Sequence, residues 1–201
     1  EKLDIDLIIM SRADWHNHAV EWNVRISESK KLKNIEYLNY GSKYHHLFHA
    51  YCVLTWNKNQ ENIIVVDGTG ATTNDGYERE SFYKFKNNEL QHVITEQNMI
   101  GYKYQTFTDK HFEHPLECGK TMAWSLYDEK PAKVQEEFEV DMDNLIHEWN
   151  IDKNLSFTGG CAQNVLYNSD LSKIYEDLFC DPFNGDFGIS LGAANYHLKN
   201  N

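Results

Sequence analysis

Three histidines, His45, His46 and His49, lie within five positions of the segment SKYHHLFHAYCVL, residues 42–54. The apolar and aromatic residues of 43–56 recur with helical rather than alternating spacing, so the sequence predicts a helix here. Because residues four apart lie on one helix face, His45 and His49 could bind one metal ion, whereas His46 points about 100° away. The alternative is a pair of core histidines whose ring nitrogens bond backbone carbonyls.

Two aspartates could complete a metal site with this histidine pair. Asp67 ends a predicted strand in VVDG, and a carboxylate at a strand end can reach a helix that packs over the sheet. Asp186, in NGDFG, is a candidate fourth ligand. Two imidazoles and two carboxylates suit a divalent transition metal better than Ca²⁺, with Fe(II) favoured and Mn(II) or Zn(II) as alternatives. Without a cation, two neighbouring carboxylates would raise each other's pKa.

Three predicted strands run into glycine turns, in VVDGTG, SFTGGCAQN and DPFNGDFG. Glycine lets a backbone approach a phosphate closely, and the N-terminus of the following helix carries partial positive charge. Any one of these segments could be an ordinary tight turn. The three together favour a nucleotide site at the carboxyl ends of the strands.

Two further residues are candidates for catalysis. Lys120 follows a glycine in CGKTMAW and could meet a phosphate, although such a lysine can also be simply solvated. His46, the histidine that points away from the metal pair, is a candidate general base.

The remaining pattern predicts an α/β layered fold in one domain, residues 1–201, because strand and helix patterns alternate. The segment 27–39 is polar and basic and is expected at the surface, and 77–96 has the pattern of a hairpin that breaks at Asn87-Asn88. Further predicted elements are a buried strand in 3–12, a strand within 61–76, helices in 117–128 and 130–150, and strand–turn–helix units in 154–171 and 176–198.

Charge and composition restrict the partners and the compartment. The formal net charge is -12, which argues against a nucleic-acid partner but leaves room for a phosphate held by backbone N–H groups. The sequence lacks an apolar run of the roughly 20 residues that cross a bilayer, so no membrane partner is expected. The four cysteines are far apart without a CxxC pair, which favours a reduced, cytoplasmic setting.

The order of these motifs resembles the carbamoyltransferase family typified by nodulation-factor and tobramycin O-carbamoyltransferases. HHLFHA, VVDGTG, GKTMAWSLYDEKP, GGCAQNVLYN and DPFNGDFGISLGAA follow one another as the family's motifs do, over residues 45–194. The last two are the most specific, since they keep the glycine pair, two asparagines and the GDxG and GAA groups of the family pattern.

The resemblance implies an actin, heat-shock-chaperone and sugar-kinase type of ATPase fold. It implies the same four metal ligands: His45, His49, Asp67 and Asp186. It also implies ATP or carbamoyl adenylate beside the glycine turns, where the candidate residues are Gly68, Gly70, Gly159, Gly160, Asn164 and Gly185. The implied reaction joins carbamoyl phosphate and ATP into carbamoyl adenylate and moves the carbamoyl group to a hydroxyl of a small-molecule acceptor. The chain could also form a homodimer.

The sequence also departs from the family pattern. Asp128 replaces a usual glycine, and Ala71 stands where glutamate is usual. The family's opening strand unit and its adenylate-forming second domain have no counterpart in these residues, so the fold is expected to be partial. Two alternatives remain open: an enzyme similar to tRNA threonylcarbamoyl transferases, and a non-catalytic module that binds nucleotide and metal.

Overall fold

The structure is a computed structural model that describes residues 7–10, 36–40, 43–74, 76–152 and 154–200. Its centre is a five-stranded mixed sheet in the order β7-β6-β3-β8-β9, in which β3, β8 and β9 are parallel and β6 and β7 run antiparallel to β3. The short strands β1 and β2 form a parallel pair, and β4 and β5 form an antiparallel pair. The strands are β1 Leu7–Met10, β2 Glu36–Asn39, β3 Asn62–Val66, β4 Thr72–Thr73, β5 Gly76–Tyr77, β6 Glu80–Lys86, β7 Glu89–Glu96, β8 Asn154–Thr158 and β9 Asp177–Cys180.

Six α-helices are described, with short 3₁₀ turns at Gly160–Gln163 and Asp186–Gly188. They cover both faces of the sheet, as expected when a sheet contains a parallel part. The helices are α1 His45–Trp56, α2 Ile100–Phe112, α3 Cys118–Trp124, α4 Glu129–Glu148, α5 Val165–Ile174 and α6 Ile189–Asn200.

The central strand β3 is buried on both faces, and its alternating side chains enter two separate cores. Ile63 and Val65 pack against the apolar residues of α1. Ile64 and Val66 pack into the larger core, which α2, α4 and α5 complete on the opposite face. The first core holds α1 over the sheet, and α1 carries the three histidines.

Helix α6 packs along α1, and its C-terminal part also reaches the sheet, where Lys199 Nζ lies 4.9 Å from the ring centroid of Phe85 in β6. Gly192 makes the approach of α6 to α1 possible, because a Cβ at this position would lie 1.7 Å from the carbonyl oxygen of Phe48. Tyr196 of α6 packs against Tyr44, Phe48 and Tyr51 along the same contact. Helix α1 is therefore covered by both the sheet and α6, which explains why nine of its twelve residues are buried.

Most predicted elements appear at the expected places. The hairpin turns at Asn87 and Asn88, which both have positive φ, 54° and 63°. The prediction for 27–39 was incomplete, because Glu36–Asn39 form strand β2; residues 27–35 lie outside the described part. Of the strand predicted in 3–12, Leu7–Met10 are described and form β1.

Helix α2 was not predicted, because its own sequence carries no recognisable start signal. Met99 occupies the N-cap position in the left-handed region and supplies no side-chain cap. The carboxylate of Glu80, on β6, accepts hydrogen bonds from Asn98 N (2.9 Å) and Ile100 N (2.8 Å) instead. None of the helices in the described residues is long and apolar enough to cross a membrane.

Candidate metal centre

The four predicted metal ligands meet at one edge of the sheet. His45 and His49 lie on one face of the first turns of α1, and Asp67 directly follows β3. Asp186 opens the 3₁₀ turn before α6, more than a hundred residues further along the chain. One ligand atom from each of the four residues lies within 4.8 Å of the others.

The individual distances converge on the two carboxylates. His45 Nε2 lies 3.1 Å from Asp67 Oδ2 and 3.5 Å from Asp186 Oδ1. His49 Nε2 lies 3.5 Å from Asp67 Oδ2 and 3.9 Å from Asp186 Oδ1. Both imidazoles therefore direct the same ring nitrogen at the same pair of carboxylate oxygens.

Burial decreases from the histidines to the aspartates. His45 and His49 are buried, whereas the side chain of Asp67 is 14% exposed and that of Asp186 is 42% exposed. The two ring nitrogens of His49 are buried without a hydrogen-bond partner. Buried polar atoms are rarely left unpaired. The unpaired Nε2 of His49 is therefore a candidate metal-binding atom.

The carboxylates and imidazoles shift each other's proton affinities. Burial lowers the pKa of His45, but its hydrogen bond with Asp67 and the charges of Asp67 and Asp186 outweigh burial and raise it above its ordinary value. Burial raises the pKa of Asp67, yet the adjacent His45 and His49 hold it well below its usual range. Asp67 is therefore ionised and available as an anionic ligand.

Glycines allow the backbone to close around Asp67. Gly68 N donates to Asp67 Oδ1 at 2.7 Å, which fixes the carboxylate and leaves Oδ2 toward the histidines. A Cβ on Gly160 would lie 2.9 Å from Asp67 Oδ1. Gly159 has φ 88°, and a Cβ there would lie 2.4 Å from Val66 O. The turns after β3 and β8 therefore touch.

The loop that carries Asp186 is fastened by a second, buried aspartate that the sequence analysis missed. Asp181 accepts a hydrogen bond from Thr158 Oγ1 at 3.0 Å and another from Phe183 N at 2.9 Å. Thr158 ends β8, so this bond ties the third glycine turn, which includes Gly185, to the second.

His46 lies apart from the cluster, on the side of α1 that faces β6. Its Nδ1 is 2.7 Å from Ser81 Oγ, and its Nε2 is buried without a partner beside Gly70. Burial, followed by the nearby charge of His45, holds the pKa of His46 well below its ordinary value. The imidazole is therefore neutral, and a role as base remains a prediction.

The structure does not bring Lys120 or the side chain of Asn164 to the cluster. Lys120 is on α3, where its ammonium pairs with Glu117 at 3.2 Å. Asn164 caps α5 by accepting from Tyr167 N, and its amide forms a reciprocal pair with Gln135 of α4. The amide of Asn164 is thus occupied within the fold.

Arg79 lies beside the first glycine turn and was missed by the sequence analysis. Its Nη1 donates to the carbonyl oxygen of Gly68 and, at 2.7 Å, to Thr69 Oγ1. An isolated arginine eleven residues beyond a glycine turn gives no signal in the sequence, because β5 and β6 fold it back onto that turn.

A family model described as carbamoyltransferase N-terminus matches residues 131–195. This segment includes the Gly159-Gly160 turn and Asp186, two of the features on which the resemblance depends. The match confirms the resemblance to carbamoyltransferases over these residues.

A segment of 53 residues is 51% identical to the Uncharacterized protein MJ1051 of Methanocaldococcus jannaschii. That segment makes up 26% of this chain and 10% of that protein. The chain therefore matches about a tenth of the length of this curated relative.

Solved structures with similar folds include component A of the (R)-2-hydroxyglutaryl-CoA dehydratase of Acidaminococcus fermentans, with a TM-score of 0.53 and 14% identity over 83% of this chain and 71% of that one. The activator of the 2-hydroxyisocaproyl-CoA dehydratase of Clostridium difficile, with bound ADPNP, has a TM-score of 0.53 and 13% identity, over 87% of this chain and 70% of that chain. A ROK family protein of Streptococcus pneumoniae TIGR4, in complex with sucrose, has a TM-score of 0.55 and 11% identity, over 89% of this chain and 70% of that chain.

At these identities the likeness concerns the fold alone. It confirms the predicted fold class, an actin-like ATPase and sugar-kinase type of α/β fold of which this chain contains a part.

Proposed function

We propose that this chain is the catalytic domain of an O-carbamoyltransferase, which moves a carbamoyl group from carbamoyl adenylate to a hydroxyl of a small-molecule acceptor with the help of a bound metal ion. The observation that carries the proposal is the convergence of His45, His49, Asp67 and Asp186 at the edge where the glycine turns meet. The family match over residues 131–195 supplies the chemistry to test.

The four side chains fit a divalent transition metal. Two imidazole nitrogens and two carboxylate oxygens are the ligand types that Fe(II), Mn(II) and Zn(II) accept, with Fe(II) favoured here. His49 Nε2 supports this fit, since it is a buried nitrogen with no hydrogen-bond partner that lies 3.5 Å from Asp67 Oδ2. When bound, the metal would act as a Lewis acid toward a carbonyl or phosphoryl oxygen.

The chain's own residues would position the reactants. The N–H groups of the turns at Gly159-Gly160 and Gly185 are candidates to hold the phosphate of the adenylate, whose charge grows as AMP leaves. The Clostridium difficile neighbour, whose structure contains ADPNP, supports a nucleotide in this fold. Holding donor and acceptor in one orientation can contribute roughly 7–11 kcal/mol to lowering the barrier.

The opening of the site lies at Asp186, the most exposed of the four ligands. Donor and acceptor would approach from this side, because the two histidines are closed off behind Asp67 by α1 and the sheet. The identity of the acceptor depends on side chains that the family pattern does not fix.

The test is a transfer assay with synthetic carbamoyl adenylate and a panel of sugar and polyol acceptors, read by mass spectrometry of the carbamoylated product. We expect the wild type to transfer and Asp67→Asn to lose most of its activity. Asp170→Asn is the matched control, since Asp170 is an exposed carboxylate on α5 that pairs with Lys173. Transfer by Asp67→Asn at the wild-type rate would contradict the proposal.

A further inference from the structure

Arg79 is a nearly buried cation beside the first glycine turn. The residue is 8% exposed. One nitrogen, Nη1, donates to Gly68 O and to Thr69 Oγ1, so the guanidinium is fixed against the turn that follows Asp67.

The charge of Arg79 has no carboxylate partner at ion-pair distance within the described residues. Glu80 is near enough for its charge to interact with Arg79, but both of its oxygens accept hydrogen bonds from the backbone at the start of α2. A nearly buried charge without a counter-ion is costly. The pattern indicates that an anion from outside the chain completes the site.

Arg79 also retains unused donors. Its Nη2 and Nε atoms have no hydrogen-bond partner in the described ranges, and neither is among the buried unpaired atoms there, so both keep access to solvent. The ring centroids of Tyr102 and Tyr77 lie 4.6 Å and 5.5 Å from the guanidinium carbon. Both tyrosines are about half exposed, which places this edge of the guanidinium at the protein surface.

The position of Arg79 connects it with the metal centre. Asp67 N donates to Arg79 O at 3.0 Å, and Gly68, which Arg79 contacts, is the next residue in the chain. The side chain of Gln105 also reaches Gly68. A group bound by the free edge of Arg79 would therefore lie beside the turn that carries a metal ligand.

We propose that Arg79 binds a phosphate group of the substrate through Nη2 and Nε, beside the Gly68 turn. A planar guanidinium with two parallel donors matches a phosphate, and Arg–phosphate pairs are often bidentate. This inference rests on the proposed function for the identity of the phosphate as that of the carbamoyl donor or its nucleotide.

Isothermal titration calorimetry of the whole chain with AMP, and separately with inorganic phosphate, tests the inference without catalysis. We expect Arg79→Gln to weaken the binding of both probes about tenfold or more, and Arg79→Lys to restore part of it, because lysine keeps the charge but not the fork. Lys103→Gln is the charge-matched control, since this exposed lysine of α2 already pairs with Asp141 at 2.7 Å, and it should bind as the wild type does. Equal affinity in wild type and Arg79→Gln, or no binding of either probe by the wild type, would overturn the inference.

A second measurement covers the case in which Arg79→Gln does not fold. Phenylglyoxal modifies arginines, and Arg12, Arg25 and Arg79 are the arginines of the chain. We expect AMP to protect Arg79 of the wild type from modification several-fold, with Arg12 and Arg25 as internal references. The same modification of Arg79 with and without AMP would overturn the inference.

The two proposals fail separately. AMP binding that depends on Arg79 in a chain that transfers no carbamoyl group would retain the phosphate site and reject the proposed function. Carbamoyl transfer by a chain whose AMP affinity does not depend on Arg79 would support the proposed function and reject the phosphate site at Arg79.

Discussion

Helix α1 gives three neighbouring imidazoles three different surroundings. His45 contacts two carboxylates, His49 has unpaired ring nitrogens at the same cluster, and His46 faces a serine hydroxyl on β6. The helical spacing alone predicted that His46 would point away from the other two. Adjacent histidines on one helix can therefore differ in role: His45 is a candidate metal ligand, whereas His46 is a packed core residue.

At this scale the first prediction separates the two roles of histidine. His46→Gln should keep the metal content of the wild type and lower the free energy of unfolding by about 1–2 kcal/mol, because the bond to Ser81 is buried. His49→Gln, the matched variant one turn away, should lose the metal. Metal analysis and urea unfolding of both variants check this, and loss of metal in His46→Gln equal to that in His49→Gln would contradict the assignment.

The convergence of these four residues could be predicted from the sequence, because three of them follow from local rules and Asp186 lies in the third glycine turn. Helical spacing pairs His45 with His49, and a strand end places Asp67 next to the helix that covers the sheet. Arg79 could not be found in this way, because its contacts with Gly68 and Thr69 depend on how β5 and β6 return to the turn. Asp181 was missed for a related reason, since its partner Thr158 lies on a different strand.

At the scale of elements, α2 begins with the help of a carboxylate from β6. Glu80 supplies acceptors to Asn98 N and Ile100 N, a function that an N-cap residue usually performs for its own helix. This explains why the start of α2 could not be predicted from residues 97–112 alone.

The second prediction follows from the burial of Glu80. Burial raises the pKa of Glu80 above its ordinary value of 4.5, against the opposing effect of the bonds from Ile100 N and Asn98 N. The folded state therefore holds this proton more tightly than the unfolded state, so the contribution of Glu80 to stability is complete below the ordinary pKa and is lost as pH rises through the folded pKa.

Glu80→Gln removes that titration. We expect the difference in unfolding free energy between wild type and Glu80→Gln to shrink as pH rises from about 4 to about 7. Urea unfolding of both proteins at several pH values measures it, with the exposed Glu137→Gln as the control for loss of one negative charge. A difference that grows with pH would show that the sign is wrong.

The third prediction concerns the contact between α1 and α6. Gly192→Ala places a Cβ 1.7 Å from Phe48 O, so α6 must move away from α1. We expect a loss of about 1–3 kcal/mol in stability from overpacking, and weaker metal binding because the displaced helix begins directly after the turn that carries Asp186.

Gly119→Ala is the matched control for this substitution. A Cβ at Gly119, in α3, meets no atom within 4 Å, so alanine there should stabilise the helix by about 0.5–1 kcal/mol. Thermal unfolding and metal titration of both variants test the contrast. If Gly192→Ala were as stable as the wild type and bound metal equally well, the close contact of the two helices would not position the site.

At the scale of the whole molecule, the sheet brings distant parts of the chain together. The parallel strands β3, β8 and β9 end at the same edge, and their following turns supply Asp67, the Gly159-Gly160 pair and Asp186 in order. The alternating strand and helix pattern predicted this layered arrangement. It could not predict the short β1–β2 pair, since Glu36–Asn39 end a polar and basic segment and acquire a strand partner only from Leu7–Met10.

The central claim is that two motifs separated by most of the chain build one metal site. Metal analysis of the purified wild type, His49→Ala and Asp186→Ala, each with and without ATP, tests it most directly. We predict about one equivalent of a transition metal in the wild type and loss of that metal in both variants, because each removes one of four ligands. A wild type without metal, even in the presence of nucleotide, would contradict the account and indicate that His45 and His49 are core histidines rather than metal ligands.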